Sequence, residues 1–186
     1  MEVRGTPIEG LLVIQPKVWR DDRGFFLESY QARRYADAGL PERFVQDNHS
    51  CSARGVLRGL HGQFPRAQGK LVRVIEGEIW DVAVDLRPGS PTYGRHYGLT
   101  LTADNFLQFY IPPGFAHGFC VLSDRAQLEY KCTEYYYPED EFVLRWDDPA
   151  LAIPWPVRDP ILSSRDQGGL PLAALEEALR SRGWNG

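Results

Sequence analysis

Two of the chain's four histidines sit in strings that could do chemistry. His61 closes G-V-L-R-G-L-H, with Arg58 just ahead and Lys70 a few residues behind; His117 closes P-P-G-F-A-H at 112–117. A stable metal site needs three or four imidazole or carboxylate ligands. Two positions after His61 stands Gln63, a poor ligand, and no acidic residue follows before Glu76. Arg58 and Lys70 would repel a cation, so no bound metal is expected. An isolated histidine is ordinarily a satisfied core residue. That reading fits badly here, because Arg58, Lys70, Arg73, Asp81 and Asp85 arise from the same short region. A core does not gather charges unless they are paired or used. A metal-free imidazole beside an ammonium suits proton abstraction next to a carbonyl. The imidazole acts as base near neutral pH, and the lysine stabilises the developing enolate oxygen.

These groups need strands to carry them. Residues 71–85, LVRVIEGEIWDVAVD, read as a hairpin turning at Glu76-Gly77. Beyond the turn Ile79, Asp81, Ala83 and Asp85 share one face, and Trp80, Val82 and Val84 the other. Two aspartates on an otherwise apolar face suit a cavity lining. Short β-prone runs continue from 96 to 137, broken at Asp104-Asn105, Pro112-Pro113-Gly114 and Ser123-Asp124. Helical signal is confined to about 31–39 and to a tail at about 170–183, where Leu172, Leu175 and Leu179 share a face. Many strands with a late helix predict an all-β fold, a jelly-roll barrel with a few short peripheral helices. A sandwich without a cavity is the alternative that spacing leaves open.

Composition sets the outer bounds. At 186 residues, with 43% hydrophobic and 12% aromatic content, 14 Pro and 18 Gly, one globular domain over 1–186 is expected, rich in strands and turns. A net charge of −4 argues against nucleic acid as a partner. Cys51, Cys120 and Cys132, an odd number without paired spacing, point to a reducing compartment. The apolar run near the start is too short for a signal-peptide core or a membrane span. A cytoplasmic location without membrane contact is expected.

The strings around His61 and His117 are similar to the two half-motifs of cupin barrels, in the right order. This resemblance puts the two histidines on neighbouring strands facing the barrel interior. Longer strings carry a closer likeness: DDRGFFLE at 21–28, FVQDNHSCSARGVLRGLHGQ at 44–63, and QGKLVRVIEGEIWDVAVDLRPGSPTYG at 68–94. To these add IPPGFAHGF at 111–119, YKCTEYYYPEDE at 130–141, WDDPALAIPWP at 146–156 and LSSRD at 162–166. Over residues 3–167 the chain resembles the dTDP-4-dehydrorhamnose 3,5-epimerases, cupin-type enzymes of nucleotide-sugar metabolism.

The resemblance implies a substrate, dTDP-4-dehydro-6-deoxy-D-glucose, whose ketone acidifies the protons on carbons 3 and 5. Each is removed and a proton returned from the opposite face, giving dTDP-4-dehydro-L-rhamnose without any cofactor. It implies His61 as base, Tyr130 as opposite-face acid, and Asp166 as the carboxylate that orients the base. Arg58 and Lys70 fall at positions around the phosphates and keto sugar, and His117 at a substrate contact. Tyr136 matches an aromatic that stacks on thymine; Gln46, Asn48, Glu141 and Arg165 match further binding positions. Arg23 and Glu28 match residues at the nucleotide end, on a segment that crosses to the neighbouring subunit of a homodimer. Taken alone, Tyr130 reads as a strand aromatic, and Arg23, Glu28, Glu141 and Arg165 as solvated surface charges. Gly62 departs from an aromatic that often follows the base in the family, which predicts a larger pocket beside His61. Two other readings stay open: an epimerase acting on carbon 3 or 5 alone, and a non-catalytic sugar-nucleotide binder. A metal-dependent oxygenase fails on ligand count.

Overall fold

The computed structural model describes residues 1–41 and 43–184. In chain order the strands are β1 (Glu2–Gly5), β2 (Leu12–Gln15), β3 (Val18–Asp21), β4 (Gly24–Leu27), β5 (Gln46–Ala53), β6 (Leu57–Gln63) and β7 (Lys70–Glu76). They continue with β8 (Glu78–Asp85), β9 (His96–Thr102), β10 (Gln108–Ile111), β11 (Phe115–Val121), β12 (Arg125–Cys132) and β13 (Glu141–Val143). Short helices are α1 (Ala32–Asp37), α2 (Ser164–Gln167) and α3 (Leu172–Ser181). The strands form a six-stranded sheet, β1-β2-β10-β7-β12-β5, and a five-stranded sheet, β13-β6-β11-β8-β9, with β3 and β4 paired apart from both. Every named strand pair is antiparallel. The expected jelly-roll is present, with the turn-forming strings at 104–105, 112–114 and 123–124 between strands.

The expected hairpin at 71–85 is not. Both strands form, but β7 pairs with β10 and β12, whereas β8 pairs with β11 and β9. Gly77, at φ +80°, carries the chain from one sheet to the other rather than turning it back on its neighbour. A Cβ there would collide with the Arg125 carbonyl. A tight two-residue turn and an inter-sheet corner share the same local residues, and pairing partners decide between them.

Alternation along the strands supplies three apolar layers. Val72, Val74, Ile79, Ala83, Phe109 and Leu128 meet between the two sheets. Leu60, Val82, Val84 and Ala116 face the other way, onto Leu175 and Leu179 of α3. Ile14, Leu71 and Tyr110 on the outer side of the six-stranded sheet receive Tyr35 from α1. The helix face expected at the tail, Leu172, Leu175 and Leu179, is therefore the packed one. The Asp148 carboxylate accepts from the Leu172 amide at 2.5 Å and caps α3, which has no side-chain cap of its own at Pro171. No helix among the described residues is long and apolar enough to cross a membrane.

Candidate active site

Strands β6 and β11 run side by side, with His61 directly opposite His117. Gly59 permits that approach: a Cβ on it would stand 2.6 Å from Gly118 Cα. Across the barrel, β7 and β12 in the other sheet bring Lys70 opposite Cys132 and Val72 opposite Tyr130. Between the two walls lies a cleft of about 270 Å³, lined by Gln46, Asn48, His61, Gln68, Lys70, Tyr130, Tyr136, Glu141 and Arg165. Base candidate and acid candidate thus stand on different sheets.

His61 Nε2 lies 2.5 Å from Asp166 Oδ1. Asp166 is buried on the single turn of α2, where Ser163 N-caps the turn and donates its hydroxyl to Asp166 Oδ2 at 2.8 Å. Burial pushes the Asp166 carboxyl up, but the His61 and Ser163 hydrogen bonds and the charges of His61 and Arg165 outweigh it. The group stays below the usual carboxylate range. With Nε2–H given to this carboxylate, Nδ1 of His61 carries the free lone pair.

Behind His61 stands a second pair. The His117 ring nitrogen Nε2 lies 3.0 and 2.9 Å from the two oxygens of Asp81, a fully buried carboxylate. Burial lowers the His117 pKa and raises that of Asp81. Lys70 is 8% exposed, and its ammonium points to the His61 carbonyl at 3.4 Å. Burial lowers its pKa, against the pull of Cys132, Glu141 and Asp81. Burial pushes the Tyr130 hydroxyl up to about 12, so it is protonated at neutral pH. Arg58 does not line the cleft; it donates to Ser52 at 3.0 Å and acts on Tyr130 through its charge.

At the cleft mouth Glu141 Oε2 accepts from Arg165 at 2.5 Å and from the Tyr136 hydroxyl at 3.2 Å. Gln46 and Asn48 bond each other at 3.1 Å. Arg23 and Glu28 are elsewhere. Arg23 pairs with Asp21 on the exposed β3–β4 hairpin, and Glu28 with Arg34 of α1.

Several sequence expectations need correction. Arg73 faces outward, bonded to Glu129 at 3.0 Å in a separate hollow behind the six-stranded sheet. Asp85 holds a turn instead of lining a cavity: it accepts from Arg87, Ser90 and Thr92. Gly62 does not widen the pocket beside His61. Strand alternation turns it to the opposite face, and a Cβ there would run into the Phe142 ring that already fills the space. The sequence reading also missed Gln68 and Ser163. Ser163 was readable as an N-cap ahead of a short helix; Gln68 carried no signal.

A family model for dTDP-4-dehydrorhamnose 3,5-epimerase matches residues 5–174. The chain is 53% identical to the dTDP-4-dehydrorhamnose 3,5-epimerase of Pseudomonas aeruginosa, over 93% of this chain and 97% of that one. It is 50% identical to the Neisseria gonorrhoeae enzyme of that name, spanning 97% of this chain and 56% of that longer one. A crystal structure from Legionella pneumophila, in complex with dTDP-4-keto-L-rhamnose, superposes with a TM-score of 0.92 at 51% identity, covering 96% of each chain. A dTDP-4-dehydrorhamnose 3-epimerase from Streptomyces niveus is 44% identical over 96% of this chain and 87% of that one. The architecture is that of the cupin-like sugar epimerases. The chain belongs to the dTDP-4-dehydrorhamnose 3,5-epimerase family.

Proposed function

We propose that this protein inverts carbons 3 and 5 of dTDP-4-dehydro-6-deoxy-D-glucose in the cleft between its two sheets, with His61 as base and Tyr130 as acid. The observation that carries this reading is their placement on opposite walls, His61 on β6 and Tyr130 on β12. A sugar ring between them loses a proton to one wall and regains one from the other, which inverts the carbon. His61 Nδ1 takes the proton next to the ketone, and the Asp166 carboxylate stabilises the resulting imidazolium. The Lys70 ammonium faces the charge that gathers on the enolate oxygen. Tyr130, protonated at neutral pH, delivers its proton to the opposite face, and solvent resets both groups. Tyr136, Glu141 and Arg165 form the mouth that receives the nucleotide, while His117, paired with Asp81 behind His61, supports the wall and does not line the cleft. Several relatives at about 50% identity are named for both carbons, and a relative named for carbon 3 alone is 44% identical.

We further infer a cytoplasmic homodimer in which Arg23 and Glu28 serve the partner's nucleotide site. Supporting this, they lie on or beside a hairpin that exposes Trp19, Phe25 and Phe26, the last at 70%.

The test is solvent deuterium incorporation with the dTDP-keto sugar, run in buffer containing a chelator. Exchange at two carbons is expected, unaffected by the chelator, and absent in His61→Ala. Tyr130→Phe is expected to retain part of the exchange while inversion falls on the order of a hundredfold or more. Exchange at one carbon would establish the single-carbon reading. Near-normal exchange in His61→Ala would remove His61 as base.

A further inference from the structure

Gln63 stands two residues after His61 on β6, so its side chain leaves the strand on the same face. It is 6% exposed. Its Oε1 accepts from the Tyr137 amide at 2.9 Å, and its Nε2 donates to the Tyr135 carbonyl at 3.0 Å and to the Arg66 carbonyl. One side-chain amide therefore grips the backbone immediately before and after Tyr136. Gln46 Oε1 accepts from the Tyr136 amide itself at 2.9 Å, and Gln68 Nε2 donates to the Glu134 carbonyl at 2.9 Å. Residues 134–137 belong to no strand, and side-chain amides supply contacts there that a neighbouring strand's backbone would otherwise make. The Tyr136 ring is left 45% exposed on the cleft, with only its hydroxyl tied, to Glu141.

We propose that Gln63 is a positioning residue for nucleotide recognition: it sets the Tyr136 ring at the height where a nucleobase stacks. The proposal rests on the reading of Tyr136 as the nucleobase contact. The chemistry singles out an amide. The site requires two donated hydrogens and one accepting oxygen within a single buried group. Glutamine supplies all three, whereas a carboxylate only accepts and an imidazole lacks the third contact. Gln63→Glu would turn carboxylate oxygens toward the Tyr135 and Arg66 carbonyls, and buried groups left unpaired are costly.

The test is a double-mutant cycle on dTDP affinity by calorimetry, with wild type, Gln63→Glu, Tyr136→Ala and the double variant. Gln63→Glu is expected to weaken dTDP about tenfold or more and to raise KM in parallel, with kcat at saturation little changed. In the Tyr136→Ala background the same substitution is expected to add almost nothing. Hydrogen exchange at the Tyr137 amide should quicken in Gln63→Glu. If that variant does not fold, Gln63→Asn, an amide one methylene short, replaces it in the cycle. Additive losses, or a fall in kcat at unchanged dTDP affinity, would overturn the proposal. Unchanged dTDP affinity in Tyr136→Ala alone would instead remove the nucleobase reading, and the proposal with it.

Discussion

Lys70 and Tyr130 share a wall and a cause, burial, yet their titrations move in opposite directions. Burial disfavours the charged form, which lowers an ammonium and raises a phenol. As pH rises, Lys70 therefore loses its proton first, below the ordinary lysine value of about 10.4, while Tyr130 holds its proton up to about 12. The loss of kcat/KM as pH rises is expected below that lysine value and belongs to Lys70. The sign for stability is opposite. A lysine whose folded pKa is lowered binds fewer protons folded than unfolded, so stability rises with pH across the same window. Lys70→Met should be nearly inactive, and its stability relative to wild type should be most favourable at neutral pH and fall toward alkaline pH. Rate profiles and denaturant titrations at matched pH check both; an alkaline limb only near pH 12 would transfer the limb to Tyr130. His61, Lys70 and the oddity of a buried Asp81 were legible from residue type and spacing. The Asp166 contact was not, because nothing local links residues 105 positions apart.

At the scale of elements, alternation located β8 and its two faces, and it placed Asp81 inside. It failed at the end of the strand. Asp85 occupies the same face by count, but the chain turns there, and the carboxylate collects the Arg87 amide at 3.0 Å, the Arg87 guanidinium and two hydroxyls. Burial pushes its pKa up, and these bonds more than offset that, bringing it to about 2. A carboxylate so depressed stabilises the fold above the unfolded value near 3.8 and loses that contribution as pH falls through about 2. The contribution is on the order of 2 kcal/mol, from roughly 1.4 kcal/mol per pKa unit. Asp85→Asn should lower unfolding free energy by about that much at neutral pH, and the gap should close toward pH 2. Equal destabilisation at both pH values would assign the effect to packing. The supposed hairpin at Gly77 failed for a related reason: a strand's partner is set by the whole sheet, and the local string is silent on it.

For the whole molecule, the barrel and its cleft were legible from two histidine strings and the rhythm of turns, whereas the proposed dimer rests on resemblance. The β3–β4 hairpin makes the physical case. Its aromatics touch little of their own chain, Phe25 meeting Phe106 at 4.8 Å. Covering them in a dimer would contribute about 25 cal/mol per Å² removed from water. Mixing Arg23→Ala chains with His61→Ala chains under subunit exchange should restore part of the activity, because one of the two shared sites would then carry neither lesion. No recovery despite proven exchange would mean that each chain completes its own cleft.

Gln63 bears on how such a barrel changes trade over evolutionary time. In metal-binding cupins a histidine occupies the place two residues after the first, and here that place holds up a loop. A metal site at this place cannot begin with Gln63→His, since that step removes the amide contacts to the Tyr136 segment before any ion is gained. His61 and His117 have likewise given their Nε2 atoms to carboxylates. Metal chemistry is closed off here by furniture, piece leaning on piece, and opening it would take several simultaneous replacements where single ones are all that mutation readily offers.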